Sequence, residues 1–149
     1  MPPAAGTPCP TSKPVSGLQP VNPAGWPQPK GYANGMTGRG RLVFVAGQIG
    51  WTAEQTFATD DFLGQFEQAL RNTVAVLAAA DAKPEHIARM TWYIIDKGEY
   101  LARLPEIGRC WRQIIGRHFP AMALVQVVAL VEDRAKIEIE TTALVPDAE

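Results

Sequence analysis

Leu42-Val43-Phe44-Val45-Ala46-Gly47-Gln48-Ile49 carries the strongest strand signal in the chain. Val43, Phe44 and Val45 are β-branched or aromatic, and Gly47 stops the run, so 42–46 reads as a buried strand. A loop through Trp51 and Phe57 follows. Thr59 and Asp60 then offer an N-cap and Asp61 a first-turn carboxylate. From there Phe62, Phe66, Leu70, Val74 and Leu77, with Ala69 and Thr73 between them, recur at spacings of three and four. That spacing predicts one amphipathic helix ending near Ala80, with Lys83-Pro84 punctuating its exit.

Further along, His86 to Asp96 alternates and is rich in β-branched and aromatic residues, which predicts a second strand. Gly98 separates it from a second helix with Tyr100, Leu104, Ile107, Trp111 and Ile114 on one side. Pro105 either sits near the first turn of that helix or bends it, because an interior proline removes a hydrogen bond. Pro120 closes the helix. Two strands complete the body, Met122 to Val131 and Ala135 to Val145, joined at Glu132-Asp133-Arg134. The predicted order is β–α–β–α–β–β, an α/β (α+β) fold with two helices packed on one face of a mixed sheet.

Upstream, residues 1–40 hold nine of the thirteen prolines, seven of the thirteen glycines and no acid. Such a stretch cannot bury enough apolar surface to offset the entropy of ordering it. Residues 1 to about 25 are therefore expected to be disordered or extended, and 26–149 to form a single domain. Trp26 and Tyr32, costly to leave in water, would tie down the segment from Trp26 to Met36. A chain of 149 residues with 46% hydrophobic content fits one domain with a real core. The net charge of −1 argues against a nucleic-acid partner. No run approaches the ~18 apolar residues of a membrane span, and the Pro-rich start lacks a secretory core. A cytoplasmic protein is the expectation.

Ser12 and Ser16 are the only serines, both in the tail, which excludes a serine triad. Cys110 falls inside a predicted helix and reads as a small core residue. His86 and His118 lack metal-ligand spacing, no glycine-rich phosphate cradle opens a helix, and no metal or cofactor is implied. A carboxylate is left. In Lys136-Ile137-Glu138-Ile139-Glu140, period two puts Lys136, Glu138 and Glu140 on one face. That face is either solvated, or Glu138 lines a cleft and positions or activates a water. Trp51, Trp92 and Trp111 read as core, interface or substrate platforms. Gly47-Gln48-Ile49-Gly50 is a plain turn or a set of backbone donors.

Three stretches in order resemble the RidA/YjgF family of reactive enamine/imine deaminases. They are Leu42 to Ile49, Phe119-Pro120-Ala121, and Lys136-Ile137-Glu138-Ile139-Glu140. Lys30-Gly31-Tyr32 is similar to the family's Gly-Pro-Tyr segment, and Gln68, Asn72 and Leu77 fit its Q…N…L helix. The resemblance spans about residues 30–146. It implies a chorismate-mutase-like fold and a barrel-like homotrimer with clefts between subunits. It also implies that Glu138 orders the attacking water. Tyr32, the backbone at Gly47 and Gln48, and the positions after Pro120 (Met122 and Ala123) would complete the site.

Met122 stands where the family carries an arginine that grips the substrate carboxylate. Ala46 replaces a serine, and Gly108 an asparagine. Methionine cannot imitate a bidentate guanidinium–carboxylate pair. The resemblance therefore implies an imine hydrolase with an altered substrate range. Trp51 or Trp92 would join Met122 against a more apolar substrate, and Lys30 or Arg41 would be candidate cations for an acidic one. The alternatives are a non-catalytic trimer that binds or senses a small molecule, and an endoribonuclease. Beyond the tail, eleven Lys and Arg face fifteen Asp and Glu, the wrong balance for cradling phosphates.

Overall fold

The computed structural model describes residues 17–147. The expected disorder of 1–16 lies outside the described residues. From Gly17 the chain is extended and exposed. A short strand β1 (Gln19–Val21) pairs antiparallel with β2 (Gly35–Thr37). Strand β3 (Gly40–Ile49), helix α1 (Phe62–Ala79) and strand β4 (Ile87–Ile94) follow. After them come α2 (Lys97–Ala102), α3 (Leu104–Ile114), β5 (Ala121–Gln126) and β6 (Ile137–Pro146). The main sheet has the order β3-β6-β4-β5, with β4 and β5 parallel and the other pairs antiparallel. This is the mixed sheet with helices on one face that the sequence predicts.

Strand β3 is longer than expected and only half buried. It runs through Gly47 to Ile49. Val43 and Val45 enter the core, whereas Leu42 and Phe44, the latter 74% exposed, stand on the opposite face. Alternation along an edge strand, not continuous burial, accounts for this. Tyr32 and Trp26 are also exposed. The anchor of their segment is buried Ala33, whose N–H donates to the Pro120 carbonyl at 2.9 Å and which bridges to Ala121 beside β5.

The stripe of α1 is buried at Phe62, Phe66, Ala69, Leu70, Thr73 and Leu77, while Val74 is only partly covered. Its N-cap is Asp61, not Thr59 or Asp60: the Asp61 carboxylate accepts from the Gly64 N–H at 3.0 Å. Asp60 instead pairs with Arg134 at 2.9 Å. The Gly64 hydrogen bond, helped by Arg103, holds the Asp61 carboxyl below the ordinary value of 3.8. A depressed carboxyl contributes stability above its unfolded value and loses it as pH falls through the folded one. Asp61→Ala is expected to cost about 1 kcal/mol at pH 7. In thermal melts this deficit should shrink below pH 3.8.

The predicted second helix is two helices that break at Arg103. Pro105 occupies the first turn of α3, where a missing N–H costs nothing. Helix α3 stops at Ile114, well before Pro120. Strand β5 is likewise shorter than expected. Val127 makes a last hydrogen bond to Ile94 at 2.8 Å, after which the chain leaves the sheet and exposes Val128 and Val131. The Gln126 side chain accepts from the Lys97 N–H at 2.8 Å and ties the strand's end to the start of α2. Among the described residues, no helix is long and apolar enough to cross a membrane.

Candidate functional site

Glu138 projects from β6 on the face away from the helices. Its strand neighbours Ile137 and Ile139 are fully buried on the other face. Tyr93 of β4 is its cross-strand partner. On the β3 side the ladder slips between Val45 and Gln48, and the register passes over Ala46 and Gly47. Such a bulge leaves backbone groups out of the ladder and bends the strand. The slip brings Gly47 against the Glu138 carboxylate so closely that a Cβ there would collide with it. Gly47 is thus required by the carboxylate's seat. The Gln48 side chain turns back to donate to the Ala46 carbonyl at 3.0 Å.

Polar side chains of α1 hold this corner, and one of them, Gln65, carries no signal in the sequence reading. Gln65 is fully buried inside the apolar stripe of α1. Its Nε2 donates to the carbonyls of Thr59 (3.1 Å) and Arg134 (2.9 Å), and its Oε1 accepts from the Lys136 N–H at 2.8 Å. Gly50 lets the end of β3 approach it, since a Cβ there would lie 2.6 Å from Gln65 Cα. Asn72 donates to the carbonyls of Ile49 (3.1 Å) and Trp51 (2.8 Å) and accepts from Gln68 at 2.8 Å. Lys136 precedes β6 and pairs with Glu99 of α2 at 3.0 Å, so it does not share the Glu138 face.

Met122 lies elsewhere. In β5 it stands opposite fully buried Met90, on the helix side of the sheet, whereas Ala123 alternates to the other face beside Thr91. Met122 and Trp92 line a cavity of about 310 Å³ with Tyr100, Leu104, Trp111 and Phe119. Trp92 is mainly core, with ring centroids 4.9 Å from Phe66 and 5.8 Å from Trp111. Gly108 and Arg112 of α3 complete the wall, and Arg112 is the charged residue lining this cavity. Its Nη1 lies 3.5 Å from where a Gly108 Cβ would be. Arg112 makes no ion pair among the described residues. Burial pushes the Cys110 thiol up to about 11, which leaves it a protonated core side chain rather than a nucleophile.

One chain thus separates the sequence-predicted residues. Gly47 and Glu138 meet on one face, Gln48 pairs with Ile139 just past the bulge, and Met122 and Trp92 lie on the other face. Trp51 lies in a third place, beside Phe57 with centroids 6.2 Å apart. Tyr32 faces a cavity of about 550 Å³ with Asn34, His86 and His118. Ala33 pairs at the Ala121 end of β5, four strand positions from the Val125–Tyr93–Glu138 row. At ~3.3 Å per residue, Tyr32 is about 13 Å along the strands from Glu138. Arg41 sits on β3 opposite Val145, at the edge of the sheet away from β5 and from the Met122 cavity of its own chain. Lys30 is exposed next to Gly31, which lines that cavity's rim.

Comparison with known proteins places this geometry. Protein DfrA of Myxococcus xanthus is 34% identical over 110 residues, covering 70% of this chain and 77% of that protein. The 2-iminobutanoate/2-iminopropanoate deaminase of Dermatophagoides farinae is 27% identical over 120 residues, covering 80% and 90%. The crystal structure of YyfB from Yersinia pestis, a Rid-family protein of unknown function, superposes with a TM-score of 0.76 at 28% identity. It covers 85% of this chain and 98% of that one. The family profile described as endoribonuclease L-PSP matches residues 27–145, so the chain belongs to that family, the RidA/YjgF family.

Proposed function

We propose that the protein hydrolyses an enamine or imine, releasing ammonia, in clefts between the subunits of a homotrimer. The observation that carries this reading is the seat of Glu138, a carboxylate pressed against Gly47 at a bulge with backbone groups outside the ladder. Water adds to the C=N carbon while Glu138 accepts its proton and passes it to nitrogen. The carbinolamine then collapses to a carbonyl compound and ammonia. Backbone N–H groups at the Ala46–Gly47 bulge hold the polar end of the substrate. Assembly joins the Glu138 face of one chain to the Met122 cavity of its neighbour. Exposed Leu42 and Phe44 on the Glu138 face support such contact.

Met122 moves the substrate range away from 2-imino acids. A carboxylate desolvated beside a thioether, without its guanidinium, costs on the order of several kcal/mol. The wild type is therefore expected to release ammonia from in-situ 2-iminopropionate at least tenfold more slowly than Met122→Arg. Equal, rapid turnover by both would overturn the shifted range, and silence from both with the trimer confirmed would overturn the hydrolase. A non-catalytic trimer that binds a small molecule is the second reading, favoured by the joint loss of polar groups at Met122 and Gly108. The excess of acids over bases in the body does not favour a ribonuclease.

A further inference from the structure

The Met122 cavity presents a thioether on its strand floor and a bare glycine, Gly108, on its helix wall, and a cation lines it. Arg112 follows Gly108 by one helical turn, the spacing at which side chains share a face. Because Gly108 has no side chain, the Arg112 guanidinium lies over the bare backbone there, its Nη1 in van der Waals reach of the missing Cβ. No carboxylate among the described residues neutralises it. Below it, Trp92, Tyr100, Leu104, Trp111 and Met122 form an apolar box of about 310 Å³. A guanidinium over such a box pairs with a carboxylate at the mouth while an apolar body fills the interior.

We propose that Arg112 is the anion-binding residue of this cavity, selecting substrates with an apolar, ring-sized body and a carboxylate set apart from the reacting C=N carbon. The assignment rests on the cavity being the substrate cleft of the proposed hydrolase. It adds the class of imine or enamine acid that the cleft takes. Glycine at 108 leaves the guanidinium room, since a Cβ there would already touch its Nη1 at 3.5 Å.

Stable probes test it without turnover. 3-Phenylpropionate, 3-phenylpropanamide and propionate are titrated onto the full chain, reading the fluorescence of Trp92 and Trp111. The wild type is expected to bind 3-phenylpropionate at least tenfold more tightly than either the amide or propionate. Arg112→Gln should bring the acid-to-amide preference below twofold with the amide's affinity unchanged, and Arg112→Lys should restore part of it. A structural role for Arg112 would weaken acid and amide alike. An unaltered preference in Arg112→Gln, no preference in the wild type, or equal binding of propionate would each overturn the assignment. A failed hydrolase shows itself separately, as an acid-to-amide preference in the wild type without ammonia release from any imine.

Discussion

Glu138→Gln is expected to lower kcat/KM for imine hydrolysis by on the order of 10²- to 10⁴-fold while the fold and assembly persist. The amide has the same shape, so it keeps its place against Gly47 and opposite Tyr93. It cannot take a proton from water. The loss should fall on kcat more than on KM, because the group acts on the attacking water rather than on substrate binding. Ammonia release is measured with 2-iminopropionate in the Met122→Arg background, where the restored guanidinium supplies the carboxylate grip. Turnover within threefold of the parent would remove Glu138 from the reaction and favour the binding trimer.

Much of this fold can be read from periodicity. The stripe of α1 and the two-residue alternation of β6 each have one buried face, and burial on one face is what periodicity reports. Met122 and Ala123 fall on opposite faces for the same reason. The break at Arg103 escapes this test, since Tyr100 and Leu104 keep a helical spacing across it and only Pro105 marks a start. The bulge at Ala46–Gly47 is also invisible locally. Glycine stops a run by propensity, yet here the strand continues and the glycine answers a carboxylate on a strand some ninety residues further on. Arg112 could be found only after Gly108 was placed one turn away on a helix beside Met122. Alternation assigns Glu138 and Met122 each to a face of its own strand, but the distance between them follows from strand order, which has no local signal.

Gln65→Met is expected to lower unfolding stability by about 3 kcal/mol, measured by urea denaturation against the wild type at equal protein concentration. Methionine matches the volume and fills the slot between Phe62 and Ala69 on the α1 stripe, so no cavity contributes to the loss. The cost comes from the Lys136 N–H and the Thr59 and Arg134 carbonyls, all left without their partner. Gln65→Glu separates these contributions, since a carboxylate still accepts from Lys136 but cannot donate to either carbonyl. It should be destabilised comparably or more, through burial of a charge. Catalysis is coupled to this anchor. Lys136 stands two residues before Glu138, and freeing the start of β6 lets the carboxylate drift from its seat, so kcat of Gln65→Met should fall as well, below the melting transition. A loss under 1 kcal/mol with kcat unchanged would mean that β6 is held in register by its two strand neighbours alone, and that the buried glutamine is incidental to the site.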